Sequence, residues 1–100
     1  MKRLLVVDDV PLFRAGLASA LRDAGFEVVA EAGGAEAAVT AAEEHQPDLV
    51  LLDILMPGVS GLEVVEKISA VAPGASVILL TASESEEDLL VGVKAGARGY

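Results

Sequence analysis

Apolar runs alternate along the chain with stretches of helical periodicity. Runs near residues 3–8, 26–31, 48–53 and 75–81 predict strands. After the first run, Pro11 suits a first helical turn, and Phe13, Leu17, Ala20, Leu21 and Ala24 recur at helical spacing until Gly25 stops the helix. An Ala-rich second helix runs from about Ala35 to His45 and ends before Pro47, with Val39 and the alanines as its packing positions. A third carries Leu62, Val65, Ile68 and Ala72, and Pro73-Gly74 closes it. Ser83 to Asp88 offers hydroxyl caps and acids suited to the positive end of a helix dipole, so a fourth helix follows with Leu89, Leu90, Val93 and Ala97 as its stripe. Arg98-Gly99-Tyr100 then begins a fifth strand. Strands alternating with helices predict the α/β class with a parallel sheet.

Two of the apolar runs end in acids: Leu4-Leu5-Val6-Val7 in Asp8-Asp9, and Leu49-Val50-Leu51-Leu52 in Asp53. If both runs are parallel strands, the three acids meet at one edge of the sheet. Open α/β sheets bind ligands outside the carboxyl ends of their strands. Converging carboxylates repel one another and persist as anions when a cation lies between them. Magnesium fits, since it takes one or two carboxylates together with water or phosphate oxygens. Phosphoryl chemistry is the expectation. A blander alternative stands beside it, in which Asp8 and Asp9 only cap the first helix and Asp53 is a loop acid.

Composition narrows the choice. One hundred residues make one domain, and 53% hydrophobic content is ample for its core. A net charge of −9 with seven scattered basic residues argues against direct nucleic-acid binding. Without cysteine, and with His45 as the lone histidine, thiolate and nitrogen-rich metal sites drop out. The first apolar run is too short for a signal peptide or a membrane span, which favours a cytoplasmic location.

Several motifs stand together in order: Val6-Val7-Asp8-Asp9, Asp53-Ile54-Leu55-Met56-Pro57-Gly58 with Gly61-Leu62, Leu80-Thr81-Ala82, and Lys94-Ala95-Gly96-Ala97-Arg98-Gly99-Tyr100. In these the chain resembles a response-regulator receiver domain of two-component signalling. Pro11-Leu12-Phe13-Arg14 and Gly96-Ala97-Arg98-Gly99-Tyr100 further resemble the subfamily with a C-terminal helix-turn-helix output domain. The resemblance implies a flavodoxin-like, doubly wound sheet of order 2-1-3-4-5, here with the fifth strand incomplete and the fifth helix absent. It implies one receiver domain over residues 1–100, cut at the start of the fifth strand, without the output domain.

The resemblance also assigns roles. Asp53 is the phosphoryl acceptor; Asp8, Asp9, Asp53 and the backbone carbonyl of Leu55 hold Mg²⁺; Thr81 meets a phosphoryl oxygen; Tyr100 is the switch aromatic. The implied partner is a histidine kinase or phosphotransfer protein, and the chain acts as a phosphoacceptor rather than a turnover enzyme. The family's lysine at the end of the fifth strand lies beyond Tyr100. That leaves open a receiver-like binding module that has lost phosphoryl switching. A phosphohydrolase ranks last, because the position two after Asp53 is Leu55 rather than a second acid. An unfinished sheet predicts marginal stability, or a homodimer that covers the gap.

Overall fold

The computed structural model describes residues 2–53 and 61–80, apart from the side chains of Asp53, Leu62 and Leu80. Seven elements alternate: β1 (Arg3–Val7), α1 (Pro11–Asp23), β2 (Glu27–Ala32), α2 (Ala35–His45), β3 (Leu49–Asp53), α3 (Gly61–Val71) and β4 (Ser76–Leu80). The strands form one parallel sheet of order β2-β1-β3-β4. This is the expected α/β arrangement, with strand limits within a residue of those the apolar runs predict. The fourth helix and the start of a fifth strand fall outside the described residues.

The sheet is covered on both faces. Leu4, Val6, Leu49 and Leu51 join Leu17, Ala18 and Leu21 of α1 in one core. Leu5, Val7, Val50 and Leu52 face the other way and join Ala38 and Ala42 of α2 and Val64 and Ile68 of α3. Leu4 to Val7 are therefore all inaccessible to solvent. Each such burial contributes about 1.5–3 kcal/mol, an upper figure because unfolded chains already hide some apolar surface. Two details depart from the helical patterns. Phe13 is not part of the buried stripe of α1, being 60% exposed, and in α3 the buried position is Val64, with Val65 half-buried.

Local chemistry sets the helix ends. Pro11 occupies the first turn of α1, where its missing N–H costs no hydrogen bond. At the other end Gly25 has φ 96°, with its N–H on Arg22 O and that of Phe26 on Leu21 O, a Schellman closure. Helix α2 ends on Gln46 in the left-handed region at φ 47°. Gln46 Nε2 donates to Glu43 O at 2.9 Å and to Val71 O at 2.8 Å, fastening α2 to the end of α3.

Strand β2 carries a bulge. Leu4 pairs with Val28, but Leu5 pairs with Ala30, so Val29 is extra. Val28 lies in the core under α1, whereas Ala30 and Ala32 lie against the core under α2 and α3. The bulge thus turns Glu31 toward α1, where Arg14 Nε and Arg22 Nη2 approach its two oxygens at 3.5 and 3.7 Å.

Candidate functional site

Parallel pairing brings two of the acid-bearing strand ends together. Val7 is the register partner of Leu52, and Asp8 and Asp53 are the next residues of each chain segment. Neighbouring strands run about 4.8 Å apart, so the backbones of Asp8 and Asp53 emerge side by side at the carboxyl edge of the sheet. Asp53 in turn pairs with Leu80 at the end of β4. Because β1 and β3 are central, their carboxyl ends lie at the middle of that edge.

Asp8 is 2% exposed, and it is the buried charged side chain among the described residues. Its N–H donates to Ala32 O at 3.1 Å, continuing the β1–β2 ladder one residue past the strand. Its Oδ1 accepts the N–H of Val10 at 2.8 Å. This is an Asx turn that reverses the chain into α1. The helix itself is capped by Val10 without a side-chain bond, so neither Asp8 nor Asp9 serves as its N-cap. Asp8 O accepts Nη1 of Arg14 at 2.8 Å. Asp9 is exposed, and Asp8 and Asp9 thus present one buried and one solvated carboxylate from adjacent positions.

Among the described residues no group of three His, Cys, Asp or Glu side chains gathers as a metal site; that description includes Asp8 and Asp9 but only the backbone of Asp53. Leu55, Thr81 and Tyr100, the remaining predicted site residues, lie outside the described residues. The donors that are described suit magnesium. They are hard carboxylate oxygens with no nitrogen or sulfur among them, and the exposure of Asp9 leaves room for the waters that this ion retains. A buried carboxylate beside a second acid also gains from a cation that offsets its desolvation and the mutual repulsion.

Arg14, Glu31 and Gly33 were not part of the site suggested by the strand-end acids, yet they surround its base. A Cβ at Gly33 would stand 3.0 Å from Arg14 Nη1. A single arginine on a helix leaves no periodic or spacing signal, and the Pro11-Leu12-Phe13-Arg14 resemblance gives it no place at the site.

Comparison with known proteins agrees with the fold. The response regulator receiver domain family matches residues 4–100. The probable transcriptional regulatory protein TcrX of Mycobacterium tuberculosis is 40% identical over 97 residues, covering 97% of this chain and 41% of that protein. The chain therefore spans less than half the length of that regulator. The chemotaxis protein CheY of Listeria monocytogenes is 39% identical over 100 residues, covering all of this chain and 84% of that protein. Among solved structures, the signal receiver domain of the putative response regulator NarL from Mycobacterium tuberculosis superposes with a TM-score of 0.75 at 35% identity, covering 98% of this chain and 80% of that one. A family match across nearly the whole length and a sheet of the same order lead to one conclusion: the chain belongs to the response regulator receiver domain family of two-component signalling.

Proposed function

We propose that this chain is a phosphoacceptor switch that takes a phosphoryl group from a histidine kinase or phosphotransfer protein onto Asp53. The observation that carries this reading is the parallel register of Val7 with Leu52, which brings the backbone of Asp53 beside that of the buried Asp8. Phosphoacceptor switching in the presence of Mg²⁺ is the general function of the family. Here Asp8 and Asp9, with Asp53 and the Leu55 carbonyl, would hold the ion. When bound, Mg²⁺ supplies positive charge that screens the attacking carboxylate from the phosphoryl oxygens. An Asp53 oxygen forms the bond to phosphorus as the bond from phosphorus to the donor's nitrogen breaks, and the donor leaves as a free imidazole. Thr81 donates its hydroxyl to a phosphoryl oxygen, and Tyr100 moves with it to alter the partner-binding surface.

In this reading the chain is a receiver domain over residues 1–100 that acts once per phosphoryl group and performs no multiple-turnover chemistry. The output is transcriptional, by analogy with the regulator TcrX, and is delivered through a partner or domain rather than by nucleic-acid contact from this segment. A cytoplasmic place accords with a kinase partner; among the described residues no helix is long and apolar enough to cross a membrane. Intact-mass measurement with acetyl phosphate and Mg²⁺ tests the proposal. A gain of one phosphoryl group, abolished by Asp53→Asn and by removal of Mg²⁺, is expected. A folded chain that takes up no phosphoryl group, or an Asp53→Asn variant that still does, overturns it.

A further inference from the structure

The contacts of Arg14 are unequal in a telling way. An arginine whose role is to pair with a carboxylate usually offers two parallel N–H donors to it. Arg14 offers Glu31 only its Nε, at 3.5 Å, and that buried nitrogen makes no hydrogen bond. Its short bond goes instead to Asp8 O, at 2.8 Å from Nη1. The guanidinium is seated for the Asp8 carbonyl even though a buried donor is left unsatisfied, which is a costly arrangement. Glu31 lies 3.5 Å from Nε as an ion-pair partner, and Gly33 leaves the space for the guanidinium tip.

That carbonyl belongs to the peptide unit joining Asp8 to Asp9. Peptide units are planar, so a bond that fixes the oxygen fixes the whole plane and the direction in which Asp9 departs. The other handles of Asp8 are also held, its N–H by Ala32 O and its Oδ1 by Val10 N–H. We infer that Arg14 is a positioning residue of the cation site: it locks the Asp8–Asp9 peptide and so holds the two carboxylates in the relation that a divalent cation requires. This rests on the reading of Asp8 and Asp9 as Mg²⁺ ligands.

Charge and geometry make opposite predictions here. A positive side chain near the site repels a dication, so if Arg14 acted through charge its removal would tighten Mg²⁺ binding. If it acts by positioning, removal weakens binding. Isothermal titration of the full chain with Mg²⁺ separates the two. Arg14→Ala is expected to weaken binding about fivefold, the size of one net hydrogen bond. Arg22→Ala removes the same charge from the same Glu31 without reaching Asp8, and is expected to leave affinity within about twofold, as exposed pairs usually do. Gly33→Ala retains the Arg14 charge but crowds its tip, and is expected to weaken binding in the same direction by less.

A readout independent of the metal accompanies these titrations. In the metal-free chain, the amide resonance of Asp9 shifts in Arg14→Ala and Gly33→Ala and stays in place in Arg22→Ala. Unchanged or tighter Mg²⁺ binding in Arg14→Ala overturns the inference, as does equal weakening by Arg22→Ala. Should Arg14→Ala fail to fold, Gly33→Ala decides the matter. Asp9→Asn separates the two levels of the claim: Mg²⁺ affinity indifferent to this change overturns the ligand reading and the positioning role together, whereas loss in Asp9→Asn without loss in the Arg14 and Gly33 variants overturns the positioning role alone.

Discussion

At the amino end of β1, Arg3 N–H donates to Asp48 Oδ2 at 2.9 Å, Asp48 N–H donates to Arg3 O at 2.8 Å, and Arg3 Nη1 reaches Gln46 O at 3.0 Å. Both charged side chains there are tied to backbone groups, and the contacts join β1 to the segment that precedes β3. At the carboxyl end of the same strand two like charges adjoin, one of them buried. Both ends use polar groups to turn the chain, but only the second sets like charges side by side. The difference separates holding the fold together from holding something that the fold does not itself contain. In open α/β sheets the second task falls to the carboxyl edge.

Substitutions can break this contrast from either side. The largest expected effect is at the carboxyl end: Asp8→Asn weakens Mg²⁺ binding by roughly a hundredfold, at the upper end of what losing even an outer partner of a metal ligand does. Because asparagine still accepts the Val10 N–H, urea unfolding without metal is expected to change by no more than about 1 kcal/mol. Next comes Gln46→Ala, which removes the side-chain bonds to Glu43 O and Val71 O. It is expected to lower stability by about 1–2 kcal/mol while leaving Mg²⁺ affinity unaltered. Asp48→Ala loses the exposed bond from Arg3 N–H and is expected to lower stability by about 1 kcal/mol in the same unfolding assay, again without moving Mg²⁺ affinity.

The smallest effect sharpens the scale. Lys67 and Glu63 form an ion pair at 3.4 Å across one turn of α3, with both side chains mostly exposed. Lys67→Ala is expected to change the unfolding midpoint by an amount equivalent to at most about 0.5 kcal/mol. A larger loss there than in Gln46→Ala would show that the amino-end contacts are not the stronger tie. Loss of Mg²⁺ affinity in Gln46→Ala would show that the two ends are coupled.

The strands were legible because a strand covered on both faces needs apolar side chains at successive positions, as Leu4 to Val7 and Leu49 to Leu52 supply. Acids interrupting such runs were legible for the converse reason. The first turn of α1 was misread: Phe13 has the spacing of Leu17 and Leu21, but spacing records which side of a helix a residue is on and not whether anything lies beneath that turn. Leu12, at 84% exposure, and Phe13 face solvent rather than the core. Val64 was missed because Val64 and Val65 are equally apolar, and only the docking angle of α3 selects between them. Gln46 and Arg14 escaped for another reason. Each acts through a few bonds to backbone oxygens of residues remote from it or across a turn, and no composition or period encodes such bonds.

The extra residue at Val29 has a consequence of parity. Side chains of a strand alternate in facing, so an inserted residue inverts the facing of everything after it, much as a shifted reading frame alters every later word. The first half of β2 is written in one phase and the second half in the other, and only the second phase gives Glu31 to α1. Drawing Val29 into regular pairing would leave every residue of β2 chemically unchanged yet transpose those after it, carrying Glu31 toward the face covered by α2 and Ala32 toward α1. The surroundings of Arg14 thus depend on one unpaired residue, three positions before the Ala32 whose carbonyl receives the Asp8 N–H.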